Sequence, residues 1–192
     1  SVTEFANIRQ NGLKALNLKD EDELINVFLT NGQADIIIGT KMGYAVRFNE
    51  NQVRNMGRAA TGVRGVNLRA GDHVVGASVI SNDQEVLVIT KKGYGKRTLA
   101  SEYATKGRGG KGMKTANITE KNGPLAGLMA VNGDEDLMII TNTGVIIRTN
   151  VANISQTGRA TLGVKVMRLD KGAQIVTFTS VAAENEKEVD EE

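Results

Sequence analysis

The residues of this chain best suited to chemistry are cations that recur at a fixed spacing. Each recurrence has the form Arg-x-x-x-Gly-x-Arg/Lys, which we call the basic phrase. The glycines of successive phrases are 50 and 51 residues apart, and the three complete phrases are Arg58, Gly62 and Arg64; Arg108, Gly112 and Lys114; and Arg159, Gly163 and Lys165. Guanidinium and ammonium groups repeated along a chain suit contact with many phosphates of a polyanion. The pattern therefore predicts an extended binding surface and not a catalytic pocket.

The densest cationic segment, residues 106–112, reads Lys-Gly-Arg-Gly-Gly-Lys-Gly. Because glycines lack side chains, their backbone N–H groups can approach phosphate oxygens closely while neighbouring cations supply charge. We expect phosphate contacts from three cations and four glycine backbones: Lys106, Arg108, Lys111, Gly107, Gly109, Gly110 and Gly112. A flexible loop whose cations are only solvated is the alternative. The segment also matches the dinucleotide pattern Gly-x-Gly-x-x-Gly, but that pattern requires a following helix, and a strand is predicted here.

A second pattern keeps the same period. Each copy is an apolar run that ends in threonine, followed by a turn glycine and by an arginine four residues after that glycine. These arginines are Arg47, Arg97 and Arg148. On a strand, they could face the predicted binding surface or pair with acids where one repeat meets the next. The sequence leaves both positions open, and we include all three among the candidate polyanion-binding residues.

Conventional catalytic and metal sites lack their residues in this sequence. The chain contains no cysteine and one histidine, His73, so neither a nucleophile–base triad nor a zinc site can be assembled conventionally. Acid pairs such as Asp134 and Asp136 fall at predicted turns, where capping of the loop is the expected role and binding of a divalent cation is the alternative. No apolar run approaches the ~20 residues of a membrane span. We therefore predict no catalytic residue, no metal site and no membrane partner.

Short β-strands must position the basic phrases. Runs rich in Ile and Val indicate buried first strands, and the glycines Gly43, Gly93 and Gly144 indicate tight turns into second strands. A third strand is predicted after each basic phrase and a fourth after the next turn. The predicted strands are 35–40, 44–48, 63–68 and 73–80; 85–90, 94–98, 113–118 and 125–131; and 136–141, 145–149, 164–169 and 174–181. Four short strands in each repeat predict an all-β fold built from propeller-like blades.

The repeats divide the chain without a linker-like break. Complete repeats are predicted near 33–82, 83–133 and 134–183, and residues 1–32 are predicted to supply the third and fourth strands of a partial repeat. Because the chain starts with Ser1 in mid-pattern, we expect a fragment of a longer protein. Residues 184–192 are predicted to be a disordered acidic tail, which could also compete with a polyanion for the basic body. The tail contributes −5 to the net charge of +2, which leaves +7 on residues 1–183.

These patterns resemble those of a known family. The repeated apolar-run, glycine and arginine pattern, the segment Gly-Tyr-Gly-Lys-Arg-Thr at 93–98 and the segment at 106–112 are similar to those of the C-terminal domain of the DNA gyrase A protein. The resemblance covers essentially the whole chain, including the acidic tail. It implies a β-pinwheel, a propeller-like disc of four-stranded, strand-swapped blades, with three full repeats and a partial one in this chain. It also implies that a basic rim binds and wraps duplex DNA without sequence preference.

The resemblance implies a role within a larger enzyme. In this family the wrapped DNA is presented to the cleavage gate, and strand passage yields negative supercoils, driven by ATP bound on the gyrase B protein. The implied partners are duplex DNA, the rest of the gyrase A protein, and the gyrase B protein in an A2B2 holoenzyme, located in the bacterial cytoplasm at the nucleoid. ATP and Mg²⁺ are expected only elsewhere in that holoenzyme, and this fragment is expected to be non-catalytic. The cations named above are the expected DNA-binding residues.

The chain departs from the family pattern in two ways. The signature box of the family is Gln-Arg-Arg-Gly-Gly-Lys-Gly in the first blade, whereas segment 106–112 begins with Lys-Gly and falls in a later repeat. Pinwheels of this family have about six blades, and this chain supplies under four. The C-terminal domain of the topoisomerase IV A protein, which binds DNA without that box, is one alternative. A propeller that serves as a protein-interaction platform, with the periodic arginines in salt bridges that lock the blades, is the other.

Overall fold

The computed structural model describes residues 1–8 and 10–183, and the predicted acidic tail lies outside the described residues. The predicted all-β class is confirmed. The helical elements are 3-10 turns of three or four residues at Val2–Phe5, Glu50–Gln52, Ala100–Glu102 and Val151–Asn153. The strands of the described residues are β1 Asp35–Thr40, β2 Tyr44–Asn49, β3 Val74–Ile80, β4 Glu85–Thr90, β5 Tyr94–Leu99, β6 Met113–Lys114, β7 Leu125–Val131, β8 Asp136–Thr141, β9 Ile146–Asn150, β10 Val164–Lys165 and β11 Ile175–Val181.

These strands form three antiparallel sheets, which we call the first, second and third blades. Their strand orders are β3-β1-β2-β6, β7-β4-β5-β10 and β11-β8-β9. β6 and β10 are the last two residues of the second and third basic phrases, and they pair with the hairpin of the preceding repeat. Lys114 lies opposite Tyr44, and Lys165 lies opposite Tyr94. This exchange is the strand-swapped arrangement of a pinwheel. In the described part of the chain the third blade has three strands, and β9 forms its edge.

The core lies between successive blades. β4 is buried along its whole length, because its alternate side chains face two separate apolar clusters. Val86 and Val88 belong to a cluster shared with the first blade, and Leu87 and Ile89 to a cluster shared with the third blade. The blades therefore stack through their sheet faces, and their crossover loops come together along the series.

The predicted first strands and turns are confirmed, whereas the predicted third strands are wrong in extent. β6 and β10 have two residues each, and no strand forms at 63–68 in the described structure. The reason lies in the backbone after each short strand. The N–H groups of Thr115 and Ala116 both donate to the carbonyl oxygen of Gly43, so the chain curls around the turn glycine and leaves the ladder. Val166 and Met167 repeat this arrangement around Gly93.

The two strands predicted within residues 1–32 are also wrong, because the described residues of that segment form no strand. Residues 24–29 have no regular secondary structure and are exposed, with Val27 78% and Leu29 82% accessible. A strand needs a neighbouring strand to accept its backbone hydrogen bonds. In the described structure, segment 24–29 is held by isolated contacts, such as the 3.3 Å bond from the Ala77 N–H to Asn26 Oδ1.

Candidate nucleic-acid interface

The second and third basic phrases form the loops that cross from one blade to the preceding one. Glycine is required in the second and third phrases for two reasons. Gly112 and Gly163 have φ of +76° and +77°, in the left-handed region. An added Cβ would lie 2.8 Å from the Ala45 oxygen at Gly112 and 2.7 Å from the Gly95 oxygen at Gly163. Each phrase is therefore pressed against the hairpin of the blade before it, which fixes the position of the cation two residues later.

Successive basic phrases are also bonded directly to one another. Arg108 Nη1 donates to the carbonyl oxygen of Arg64 at 3.0 Å, and Arg159 Nη1 donates to the carbonyl oxygen of Lys114 at 3.2 Å. The first arginine of one phrase thus holds the last residue of the phrase before it. The three phrases consequently lie in series as one surface feature, which we call the basic ridge (residues 58–64, 106–114 and 159–165).

The cations of the basic ridge divide into two groups by exposure. The arginines that open the phrases, Arg58, Arg108 and Arg159, are half-buried. The remaining predicted cations are exposed, and they are Arg64, Lys106, Lys111, Lys114 and Lys165. Within residues 1–8 and 10–183, no cation of the ridge forms an ion pair with a carboxylate. The ridge therefore presents uncompensated positive charge to solvent.

The glycine-rich part of the ridge is partly ordered by its own backbone. The Arg108 N–H donates to Gln52 Oε1 at 2.8 Å, and the Gly109 N–H donates to the Gly65 oxygen at 2.7 Å. The Gly109 N–H is therefore occupied within the protein and is not offered to a phosphate. Gly107 and Gly110 line a small cleft of about 220 Å³, together with Gly112 and the cations Arg47, Lys106 and Lys111.

The three periodic arginines of the strands pair with acids, but each acid lies on the same hairpin as its arginine and not on a neighbouring repeat. Arg47 Nε is 2.9 Å from Asp35, Arg148 Nε is 2.8 Å from Asp136, and Arg97 pairs with Glu85. Their side chains are 4%, 33% and 14% exposed, respectively. Each guanidinium lies across its own hairpin because arginine and acid occupy facing strands. Arg47 and Arg97 also donate to backbone oxygens of the next repeat, and these bonds link one blade to the next.

The Arg47 pair illustrates this locking role. Arg47 Nη1 donates to the Ala100 oxygen of the next repeat at 2.9 Å, and Nη2 donates to Asn82 Oδ1 at 2.8 Å. Burial by itself raises the pKa of Asp35, but hydrogen bonds from Thr105, Asn49 and Arg47 outweigh that effect, so the pKa lies below its usual value. The carboxylate is thus held in its charged form.

Sequence reasoning missed two cations that stack on tyrosines near the ridge. The guanidinium carbon of Arg69 lies 3.3 Å from the ring centroid of Tyr44, and Lys121 Nζ lies 6.0 Å from that of Tyr94. Lys165 stacks on the same Tyr94 ring at 5.1 Å. The matched positions of these tyrosines after the turn glycines were the available signal. Sequence reasoning also missed a buried lysine, Lys96, which is described below.

The described residues contain no group of three or more His, Cys, Asp or Glu side chains that could hold a metal ion. Among the same residues, no helix has the length and apolar character needed to cross a membrane.

A family model described as "DNA gyrase C-terminal domain, beta-propeller" matches residues 1–31, 34–81, 84–132 and 135–182. The chain belongs to the DNA gyrase C-terminal domain family. Each of the last three matched segments of this gyrase-family domain contains one basic phrase, so the family's repeat has the same period as the basic phrases.

Two curated relatives of the gyrase-family domain are A proteins of DNA gyrase. That of Streptococcus pneumoniae is 79% identical over 189 residues, which cover 98% of this chain and 23% of the relative. That of Halalkalibacterium halodurans is 62% identical over 191 residues, again 23% of its length. The chain thus spans about a quarter of the length of these relatives.

Solved structures share the fold. The C-terminal domain of DNA topoisomerase IV superposes with a TM-score of 0.89 and 26% identity, over 96% of this chain and 58% of that one. The DNA gyrase A C-terminal domain superposes with a TM-score of 0.80 and 26% identity, over 89% of this chain and 58% of that one. The β-pinwheel class predicted from the sequence is confirmed.

Proposed function

We propose that this gyrase-family domain binds duplex DNA along the basic ridge, without sequence preference, and bends the duplex along the series of blades. The observation that carries the proposal is the direct bonding of successive basic phrases, with five exposed cations that have no carboxylate partner in the described structure. A duplex presents phosphates at regular intervals, so a serial array of cations matches it better than a single cluster would. Contacts limited to phosphates carry no sequence information.

The proposal sets a salt dependence. If each of the five exposed cations engages one phosphate, the slope of log K against log salt is about −4.5, and affinity falls roughly 500-fold between 50 and 200 mM salt. Bending 20–30 base pairs by 40–90° costs on the order of 1–6 kcal/mol. Several separated contacts can offset that cost only if they engage together, which the rigid links between phrases favour.

We further propose that the domain acts within DNA gyrase, as part of the gyrase A protein in an A2B2 assembly with the gyrase B protein, in the bacterial cytoplasm at the nucleoid. In that assembly, it would wrap DNA in support of negative supercoiling, while ATP and Mg²⁺ chemistry belongs to other regions and this domain remains non-catalytic. Curated gyrase A proteins match this chain at 79% and 62% identity over almost its whole length, which favours this role over topoisomerase IV. The solved C-terminal domains of the two enzymes do not separate the alternatives, since both match at 26% identity.

The protein-interaction alternative accounts for only part of the charge. Its blade-locking salt bridges correspond to Arg47, Arg97 and Arg148, each of which has an acid partner. It gives no role to the exposed cations of the ridge, such as Lys114 and Lys165. An anionic ligand gives those cations a role, and DNA is the anion that their serial arrangement fits.

The test measures affinity for a fluorescent duplex as a function of salt. Lys114→Gln and Lys165→Gln should each reduce the steepness of the salt slope by about 0.9. Lys171→Gln, at an exposed lysine outside the basic phrases, serves as the matched control and should leave the slope nearly unchanged. A slope shallower than about −2 for the unaltered chain would overturn the proposal.

A second measurement separates binding from wrapping. Nicked plasmid is incubated with increasing amounts of the chain, sealed by ligase, stripped of protein and resolved by gel. A dose-dependent positive shift of linking number supports wrapping by these blades. Salt-sensitive binding without that shift would restrict the function of the chain to binding.

A further inference from the structure

The second blade buries a lysine at a position that is apolar in the other two. Lys96 lies on β5 with only 1% of its surface exposed, although it carries an ammonium group. The matched positions of the other hairpins are Val46 on β2 and Ile147 on β9. The repeat itself does not require a charge at this position. The reason for the lysine must therefore be a contact that is specific to the second and third repeats.

The Lys96 ammonium is enclosed by oxygens of the third basic loop. Its Nζ lies 2.6 Å from the Gly158 oxygen, 2.5 Å from the Arg159 oxygen and 3.1 Å from Thr161 Oγ1. All three acceptors belong to the next repeat, at the point where its basic phrase begins. The ammonium therefore satisfies its three donors with neutral oxygens of the crossover loop.

Stability does not explain this charge. Burial lowers the pKa of Lys96 to about 8; the negative charge of Glu102 partly opposes this change and the positive charge of Arg159 adds to it. A charged group that is disfavoured by its site weakens the folded state, and an apolar side chain of similar length would avoid that cost. The ammonium must therefore contribute something that methionine at this position would not.

What the ammonium contributes is an orientation of the loop. Because a trans peptide is planar, the N–H of each peptide points away from its own C=O. With the Gly158 oxygen drawn toward Nζ, the Arg159 N–H points outward and donates to Glu102 Oε2 at 3.2 Å. With the Arg159 oxygen also drawn inward, the N–H of the exposed Ala160 is directed away from Lys96.

The same loop carries one of the two links that make the ridge continuous. Arg159 reaches the Lys114 oxygen, and the Thr161 oxygen accepts from the Asn117 N–H at 2.9 Å. These contacts join the third phrase to the second. They depend on the loop conformation that Lys96 holds, because Nζ contacts the loop at Gly158, Arg159 and Thr161.

The loop of the second phrase lacks a buried lysine of this kind but shares the outer contact of the third. There Gln52 accepts from the Arg108 N–H, as Glu102 does from the Arg159 N–H. The hairpin beneath the second phrase has Val46 where Lys96 lies, so that hairpin offers the second loop no ammonium at this position.

We propose that Lys96 is a positioning residue for DNA binding, an internal cation that fixes the third basic loop so that Arg159 joins the second and third phrases and the Ala160 N–H faces the duplex. This inference rests on the DNA-binding function proposed above. Lys96 itself does not touch DNA, since its side chain is enclosed by protein.

The test compares Lys96→Met with Lys171→Met, which removes the same charge from an exposed lysine outside the basic phrases. Lys96→Met should leave resistance to denaturant unchanged or greater. It should also accelerate hydrogen exchange at the Asn117 amide at least ten-fold and weaken duplex affinity about eight-fold at 0.1 M salt, the effect of one lost phosphate contact. Lys171→Met should change neither exchange nor affinity by more than two-fold.

A double variant tests the route of the effect. If Lys96 acts through the Arg159 loop, Lys96→Met should weaken binding less when it is added to Arg159→Met than when it is made alone. Additive losses, or unchanged affinity and exchange in Lys96→Met, would overturn the inference while leaving the proposed function intact. Absence of salt-sensitive binding by the unaltered chain would instead overturn the proposed function.

A measurement without substitution keeps the inference testable if Lys96→Met fails to fold. The charges that face Nζ from the surrounding elements are those of Glu102 and Arg159. In the unaltered chain, the Asn117 amide NMR signal should shift with a midpoint near pH 8 as Lys96 loses its proton. An Asn117 signal that stays constant from pH 7 to 10 would contradict the link between ammonium and loop.

Discussion

Two glycines at equivalent places in the repeat should respond very differently to substitution by alanine. Gly62 and Gly163 are the central glycines of the first and third basic phrases, with φ of +86° and +77°. Around Gly62, an added Cβ has no neighbour within 4 Å. At Gly163, it would lie 2.7 Å from the Gly95 oxygen and 3.1 Å from the Gly95 carbonyl carbon. The difference arises because the third phrase is inserted against a preceding hairpin and the first phrase is not.

The expected losses follow from these two environments. Both alanines adopt a left-handed backbone, which costs roughly 1–2 kcal/mol. Only Gly163→Ala must also push a backbone away, and overpacking of this kind adds about 1–3 kcal/mol. The free energy of unfolding, measured by urea denaturation, should therefore fall by roughly 1–2 kcal/mol for Gly62→Ala and by about 2–5 kcal/mol for Gly163→Ala.

Two further glycines control for the identity of the repeat. Gly112→Ala should behave like Gly163→Ala, since its Cβ would meet the Ala45 oxygen at 2.8 Å, and Gly12→Ala should behave like Gly62→Ala, since its Cβ is in open space. Equal losses for Gly62→Ala and Gly163→Ala would refute the reasoning, because they would mean that the swapped strand does not constrain its glycine.

Arg47→Met should lower the free energy of unfolding by about 3–5 kcal/mol, because it leaves the carboxylate of Asp35 without its buried partner; in the same urea titration Arg148→Met should cost less, since Arg148 is one-third exposed. A loss below about 1 kcal/mol for Arg47→Met would contradict the locking role. The free energy of unfolding should rise with pH between about 8 and 10. The pKa of Lys96 is about 8 in the folded chain, whereas its ordinary value is 10.5. Between these two values the unfolded chain binds one more proton than the folded chain, so raising the pH favours the folded chain. Thermal unfolding of Lys96→Met across the same pH range should lack this rise, and an identical rise in that variant would assign it to other groups.

The sequence predicted the hairpins well because their signals are local. A β-branched run followed by a turn glycine specifies two strands and the link between them, and β4 and β5 begin at the predicted residues Glu85 and Tyr94. The swapped strands β6 and β10 were predicted too long, because their ends are set by backbone bonds to Gly43 and Gly93, some 70 residues earlier in the chain. Such distant contacts leave no periodic trace in the segment itself.

The residue types of the candidate site were predictable from the sequence, but which cations are buried and which are exposed was not. The basic phrases predicted a cationic surface, but the half-burial of Arg108 and the exposure of Lys114 depend on which phrase lies beside which. The role of Arg47 depended on the same long-range geometry. Lys96 did leave a signal, since a lysine interrupts a position that holds Val46 and Ile147 in the other repeats. A charged residue at a repeat position that is otherwise apolar indicates that the charge has a buried hydrogen-bonding partner.

The basic phrase couples the stability of the ridge to its charge, because one short pattern supplies both. In the second and third phrases, the opening arginine is half-buried and bonded to the preceding phrase, the glycine permits insertion against the preceding blade, and the final cation is exposed. Each of these two repeats therefore extends the fold and the charged surface together by one increment. The final cations Lys114 and Lys165 are fixed to the preceding blade by the strand pairings of β6 and β10, so their positions follow the packing of the blades. A polyanion that engages both phrases must follow the same path, so the proposed DNA path would be set by the packing angle between blades and not by any one contact.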